Sequence, residues 1–252
     1  MTEGRALGPI MTGIFVVLML ALAVTCSWLG VWQLHRLAEK DALVAAVAER
    51  LNATPVPGPA AAQWPTIDLG SLNFQPVSLT GAFRYNQTVT VFTSLANARG
   101  LASGPGYWVV TPFVLDTGGT VFVNRGFVPA EFQEAAVMDA EGDESQVTIT
   151  GLLRPSEPAG FMTPGPDTSN RIEWVRDTAR MAAMVDPALA PIAPFYVDLP
   201  AGPAGELPQG GETVVEFPNN HLGYAYTWFG FAIVAVVMLG FWVWRQRYPT
   251  KV

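Results

Sequence analysis

Histidine and cysteine are almost missing from this chain. Its 252 residues include two histidines, His35 and His221, and one cysteine, Cys26. A single cysteine rules out an internal disulfide. A Ser-His-Asp or Cys-His hydrolase needs a histidine inside its folded domain, and both histidines here border long apolar runs. The usual zinc site needs several Cys or His ligands, and a copper carrier needs a Cys/Met/His cluster. Neither set exists here. No G-x-G-x-x-G follows a strand pattern, and no G-x-x-x-x-G-K-[ST] occurs. Charge is scarce as well, at 14% of residues, and it leans acidic. From Arg36 to Phe217 there are 20 Asp and Glu against 10 Lys and Arg. That balance argues against nucleic acid or an anionic membrane surface as partner. The loop acids read as a solvated surface. The competing view, a membrane-anchored enzyme working with paired carboxylates, has no spacing to point to, so no enzyme is expected.

What the chain does have is two long uncharged runs. Ile10–Trp32 and Leu222–Trp244 each hold 23 residues without a charge, and a span needs roughly 20. Ala21-Leu22-Ala23 imitates a signal-peptidase site, but the apolar run continues past it to Trp32, so a retained anchor is expected. Arg245, Arg247 and Lys251 crowd the tail without an acid, which places that end in the cytoplasm. Two spans return the N-terminus to the same side. The expected plan has a cytoplasmic N-terminus at 1–9 and a first span at 10–33. A periplasmic or intermembrane-space domain follows at 34–217, with a helical extension at 34–51. The second span covers 221–244, and a basic cytoplasmic tail covers 245–252. The setting is a cell inner membrane.

Between the spans, helical spacing of Leu34, Leu37, Val44, Val47 and Leu51 extends the first helix beyond the bilayer. The Pro/Ala-rich stretch from Thr54 to Pro65 reads as a linker. Strand patterns follow at 75–83, 87–92, 107–115, 120–128, 146–153, 171–175, 194–198 and 213–217. The turn Asp116-Thr117-Gly118-Gly119 joins two of them as a hairpin. Asp177–Val185 reads as a short helix with Asp177 as its N-cap, and residues 131–145 and 155–169 read as loops. The expected fold class is a membrane protein of α+β type. Two transmembrane helices, arranged as a hairpin, flank a β-rich, mainly antiparallel extracytoplasmic domain, a small barrel or a sandwich.

The stretch PNNHLGYAYTWFGFA, Pro218–Ala232, sets His221 at the head of the second span. One reading is a helix start capped by Asn219 and Asn220, with a histidine tolerated at the interface. The other takes His221, Tyr224, Ala225 and Trp228 as one helix face. Gly223, Thr227 and Gly230 form a small-residue stripe beside it, and Ala23, Ser27 and Gly30 form another on the first span. Such stripes serve close helix packing or leave a slot for a flat group. An imidazole among apolar and aromatic walls suits a haem.

This stretch, with LGVWQLHR (Leu29–Arg36), GYWVVTPF (Gly106–Phe113), VNRGFVP (Val123–Pro129) and WVRDTARMA (Trp174–Ala182), resembles the Surfeit locus protein family. The resemblance runs in order along nearly the whole chain. It implies a non-catalytic assembly factor of the respiratory chain, a membrane chaperone for cytochrome c oxidase. It also implies transient haem A binding, with the position of His221 as axial ligand of the iron. Implied partners are oxidase subunit I and the haem A synthase. The alternative within the resemblance is a scaffold that binds no haem and steadies an oxidase assembly intermediate. No ligand role carries over to His35, and Gly223 stands where many members have glutamine. Trp32 and Gln33 are expected near the level of His221, with Gln33 able to hydrogen-bond across the helix pair. Arg36 is expected either to meet a haem propionate or to serve headgroups or a domain acid. Arg125 is expected to serve the domain fold or a partner surface. The candidate cofactor-binding set is therefore His221, Trp32, Gln33, Arg36, Tyr224 and Trp228.

Overall fold

The computed structural model describes residues 9–138, 144–213 and 219–248. The chain divides into two compact units, Met1–Ala46 with Glu216–Val252, and Val47–Val215.

In the first unit the long apolar runs become helices α1 (Pro9–Leu51) and α5 (His221–Arg247). At 1.5 Å per residue they extend about 65 Å and about 40 Å. Both are long and apolar enough to cross a membrane. Their outward faces carry exposed Leu18, Val24, Phe231 and Val234, a surface that water would penalise and lipid would not. Contacts between them, and to Asn219 just before α5, run along their length. Phe15 meets Trp242 with ring centroids 5.1 Å apart. Gly30 lies against the Phe229 ring. Gln33 bonds His221 and Asp41 bonds Asn219. As the position rises along α1 it falls along α5, so the pair runs antiparallel.

In the second unit the strands are β1 (Val56–Pro57), β2 (Pro76–Phe83), β3 (Val89–Leu95), β4 (Gly104–Leu115), β5 (Thr120–Pro129), β6 (Val147–Pro155), β7 (Ile172–Glu173) and β8 (Ile192–Asp198). Short helices α2 (Leu69–Leu72), α3 (Gln133–Met138) and α4 (Thr178–Ala182) lie between them. The order β2-β6-β8-β5-β4 closes on itself because Gly81–Phe83 also pair with Phe113–Leu115. Of the two expected folds, the barrel is the one formed. β4 is shared: its first half pairs with β3 and its last residues with β2. All barrel pairings are antiparallel except β5 with β8.

Strand alternation sorts the side chains. Val121, Val123, Phe195 and Val197 join Phe113, Leu115, Val77, Leu79 and Leu153 in one buried cluster. Their neighbours Phe122 and Tyr196 join Trp108, Val110 and Phe127 in a second, which Met181 of α4 completes.

Three expectations need correcting. The Pro/Ala-rich stretch is no free linker: β1 pairs in parallel with β2, and Trp64 is buried edge-on to Phe195, its indole N–H donating to the Pro59 carbonyl at 2.9 Å. One large aromatic gains enough burial to fix a stretch with no periodic pattern. Residues 131–145 contain α3, and the strand expected at 171–175 shrinks to β7. The strand expected at 213–217 lies outside the described residues except for Thr213, which is not in a strand.

Candidate functional site: the histidine at the helix seam

α5 begins at His221, where the uncharged apolar run begins. Of the two asparagines expected to cap it, only Asn219 acts, its Oδ1 accepting from the His221 N–H at 3.4 Å. Asn220 makes no side-chain cap. The Asn219 amide is turned to α1 instead, where it donates to Asp41 Oδ1 at 2.9 Å.

Of the six candidate residues, two touch directly. His221 Nδ1 lies 2.7 Å from Gln33 Oε1. Gln33 is only 8% exposed, on the α1 face that also buries Ala23, Cys26 and Gly30. Tyr224 is exposed and Trp228 half-buried, the latter edge-on to Phe231. Trp32 is exposed. Arg36 is exposed too, and donates to Glu39 at 2.6 Å on its own helix. Among the described residues, neither Trp32 nor Arg36 bonds to α5. His35 is exposed.

The small-residue stripes behave differently on the two helices. Gly30 is spent on packing: a Cβ there would come 2.6 Å from the Phe229 ring. Gly223 and Gly230 have open space where a Cβ would stand, and the residues α5 buries are Ala225, Ala232 and Ala235. At the level of Gly30 the seam is therefore filled, and a flat group would have to lie on an outer face of the pair. The donor set at the head of the seam fits a haem in that position. One imidazole has Nδ1 engaged, and among the described residues Nε2 has no hydrogen-bond partner. Apolar and aromatic side chains continue along the same helix.

The remaining motifs build the barrel unit. In Asn124-Arg125-Gly126, Arg125 is the extra residue of a β-bulge, since β4 pairs Val109 with Gly126 and Val110 with Asn124. Buried Asn124 donates to Asp198 Oδ1 at 2.8 Å and accepts from the Gly126 N–H at 3.1 Å. Arg125 lies over the Tyr85 ring at 4.7 Å. Asp198 also takes Thr213 at 2.9 Å and Arg154 at 3.4 Å. In the Trp174–Ala182 motif, Arg176 donates to Glu157 at 2.7 Å and lies 5.1 Å over Tyr196, whose hydroxyl also reaches Glu157. Burial disfavours the Glu157 carboxylate, but the Arg176 charge and these hydrogen bonds outweigh it and hold its pKa below the usual carboxylate range. Burial pushes the Tyr196 phenol above its ordinary value, helped by the charges of Asp198 and Glu157. Asp177 caps α4, and fully buried Glu173 takes both arms of Arg180. These charges are matched in pairs, so the motif secures the second core.

Sequence reasoning missed a cleft of about 830 Å³ in this unit, with Leu101, Leu152, Pro200 and Gln209 among its walls. Its lining comes from separate segments, and no local pattern marks it.

The comparisons with known proteins agree with the motif set. The model of the SURF1 family matches residues 20–233. The human protein named Surfeit locus protein 1 is 34% identical over 227 residues, covering 84% of this chain and 72% of its own. A SURF1-like protein of Monosiga brevicollis is 31% identical over 239 residues, covering 91% of this chain and 86% of its own. A SURF1-like protein of Drosophila melanogaster is 30% identical over 225 residues, covering 84% and 71%. With the model spanning most of the chain, Gln33 and His221 included, the chain belongs to the SURF1 family.

Proposed function

We propose that this protein is a membrane assembly factor for cytochrome c oxidase that holds haem A as cargo through His221 and assists its insertion into subunit I. The observation that carries the reading is the imidazole at the head of α5 with one nitrogen engaged by Gln33 and the other left for a ligand. Haem A, when bound, supplies an iron that takes a neutral imidazole nitrogen. This chain's part is to present that nitrogen in a fixed orientation and to offer apolar and aromatic surface beside it, from Tyr224, Trp228 and Trp32. Arg36 would have to leave Glu39 to meet a propionate. The exposed pair breaks at small cost.

The same reading makes α1 and α5 a transmembrane hairpin in the inner membrane, with both termini cytoplasmic. It places the barrel in the periplasm, where it docks on subunit I or the haem A synthase. No catalysis is assigned to it. A second reading is favoured by the filled seam at Gly30 and Phe229: a scaffold that binds no haem and steadies an assembly intermediate.

The absorption spectrum of detergent-purified protein from cells that make haem A separates the two. The carrier predicts a Soret band and the pyridine haemochrome of haem A. A colourless protein that still co-purifies with oxidase subunits would overturn the carrier and leave the scaffold.

A further inference from the structure

We propose that Gln33 is a positioning residue that fixes the tautomer of His221, holding the proton on Nδ1 and leaving Nε2 as the lone-pair nitrogen. The part of this that concerns iron rests on the haem reading above; the tautomer itself does not.

A carboxamide oxygen only accepts, and Gln33 is placed with Oε1 2.7 Å from Nδ1, the arrangement in which Nδ1 carries the proton; the amide turned end for end would donate to a bare Nδ1 instead. Neutral imidazole carries one N–H, so Nε2 is then bare. A metal-binding histidine gains from such a partner, which sets the tautomer, steadies the ring and raises the basicity of the other nitrogen.

The surroundings make the partner rigid. Gln33 is buried in the interior of a 43-residue helix, so its side chain has little freedom to leave. Asp41 lies eight residues further along α1, about 12 Å on and roughly 80° around the helix. There it holds Asn219 at 2.9 Å, and Asn219 in turn holds the His221 N–H. The histidine is thus tied at its backbone and at its ring, from two points of one helix.

The chain makes the test direct, because it has only two histidines. In a His35→Ala background the full-length protein in detergent carries His221 alone. With ¹⁵N-labelled histidine, the ring nitrogen shifts report the tautomer without any haem. The expected result is a neutral ring protonated at Nδ1. Gln33→Leu should release it to a mixture of tautomers, and Gln33→Glu, which keeps an acceptor at the same reach, should return the proton to Nδ1, in the neutral ring or in the imidazolium that a carboxylate favours. A proton found on Nε2 in the parent, or a tautomer unchanged by Gln33→Leu, overturns the proposal. The parent spectrum decides the matter even if the leucine variant fails to fold.

With haem A added, Gln33→Leu should weaken binding by roughly 10–100-fold and lower the ferrous iron–imidazole stretching frequency, and Gln33→Glu should raise that frequency. The two readings fail separately. A Gln33-held Nδ1 proton in a protein that takes no haem sustains the positioning and removes the carrier. A haem-binding protein with an unbiased tautomer does the reverse.

Discussion

His221→Ala is expected to leave the protein in the membrane and remove its haem. The substitution deletes the imidazole whose Nδ1 meets Gln33, so α5 loses one tie to α1 but keeps the Asn219–Asp41 bond and the contacts of Phe229 and Trp242. Losing an outer partner of a metal ligand costs roughly 10–100-fold in affinity, and losing the ligand itself should cost at least ~100-fold. Haem content per purified chain is the readout. Melting of the barrel unit is the control and should not change, since His221 lies in the other compact unit. Exogenous imidazole should return part of the colour to the alanine variant. A variant that keeps its haem with an unaltered spectrum would place the ligand elsewhere.

Gly126→Ala is expected to damage the barrel unit severely, because strain and overlap act together there. Gly126 follows the bulge at Arg125 and has φ +139, where side chains rarely go. A Cβ there would stand 2.4 Å from the backbone carbonyl of Gln209, and that backbone is paired in turn with Phe127. Strain and overlap together should cost about 3 kcal/mol or more, a fall in melting temperature of about 6–12 °C for a unit of this size. Gly118→Ala is the comparison. Gly118 also has a positive φ, +93, but nothing stands within 4 Å of a Cβ there, so the conformational term acts alone, about 1–2 kcal/mol. Thermal melts of the two variants separate overlap from strain. Equal losses would mean that the Gln209 backbone gives way.

The parts of the fold that were legible are those whose signal is local. β4 and β5 are near-continuous apolar runs on either side of a turn with a glycine pair, and α4 shows its aspartate cap. Closure of the barrel was not legible, because Gly81–Phe83 must reach β4 while the rest of β2 pairs with β6, a choice made by the whole core. Trp64 and β1 were missed because burial of one aromatic carries no period. At the helix pair Ala23 and Gly30 of the α1 stripe are buried but Ser27 is exposed and bonds the Ala23 carbonyl of its own helix, and on α5 the buried small residues are Ala225, Ala232 and Ala235 rather than Gly223, Thr227 and Gly230. Glycine and alanine both permit close approach, so the stripe alone does not say which of them faces α1. His221 stood out by its rarity and its place at a span end. Its pairing with Gln33, 188 positions away, is a tertiary fact that chain order does not carry. The Asn124–Asp198 bond, 74 positions apart, was hidden for the same reason.

Haem A titrated into detergent-solubilised protein purified free of haem tests the central claim most directly. The account predicts one saturable Soret change at one haem per chain, absent from His221→Ala. A spectral change that rises without saturation, and equally in both proteins, would contradict it.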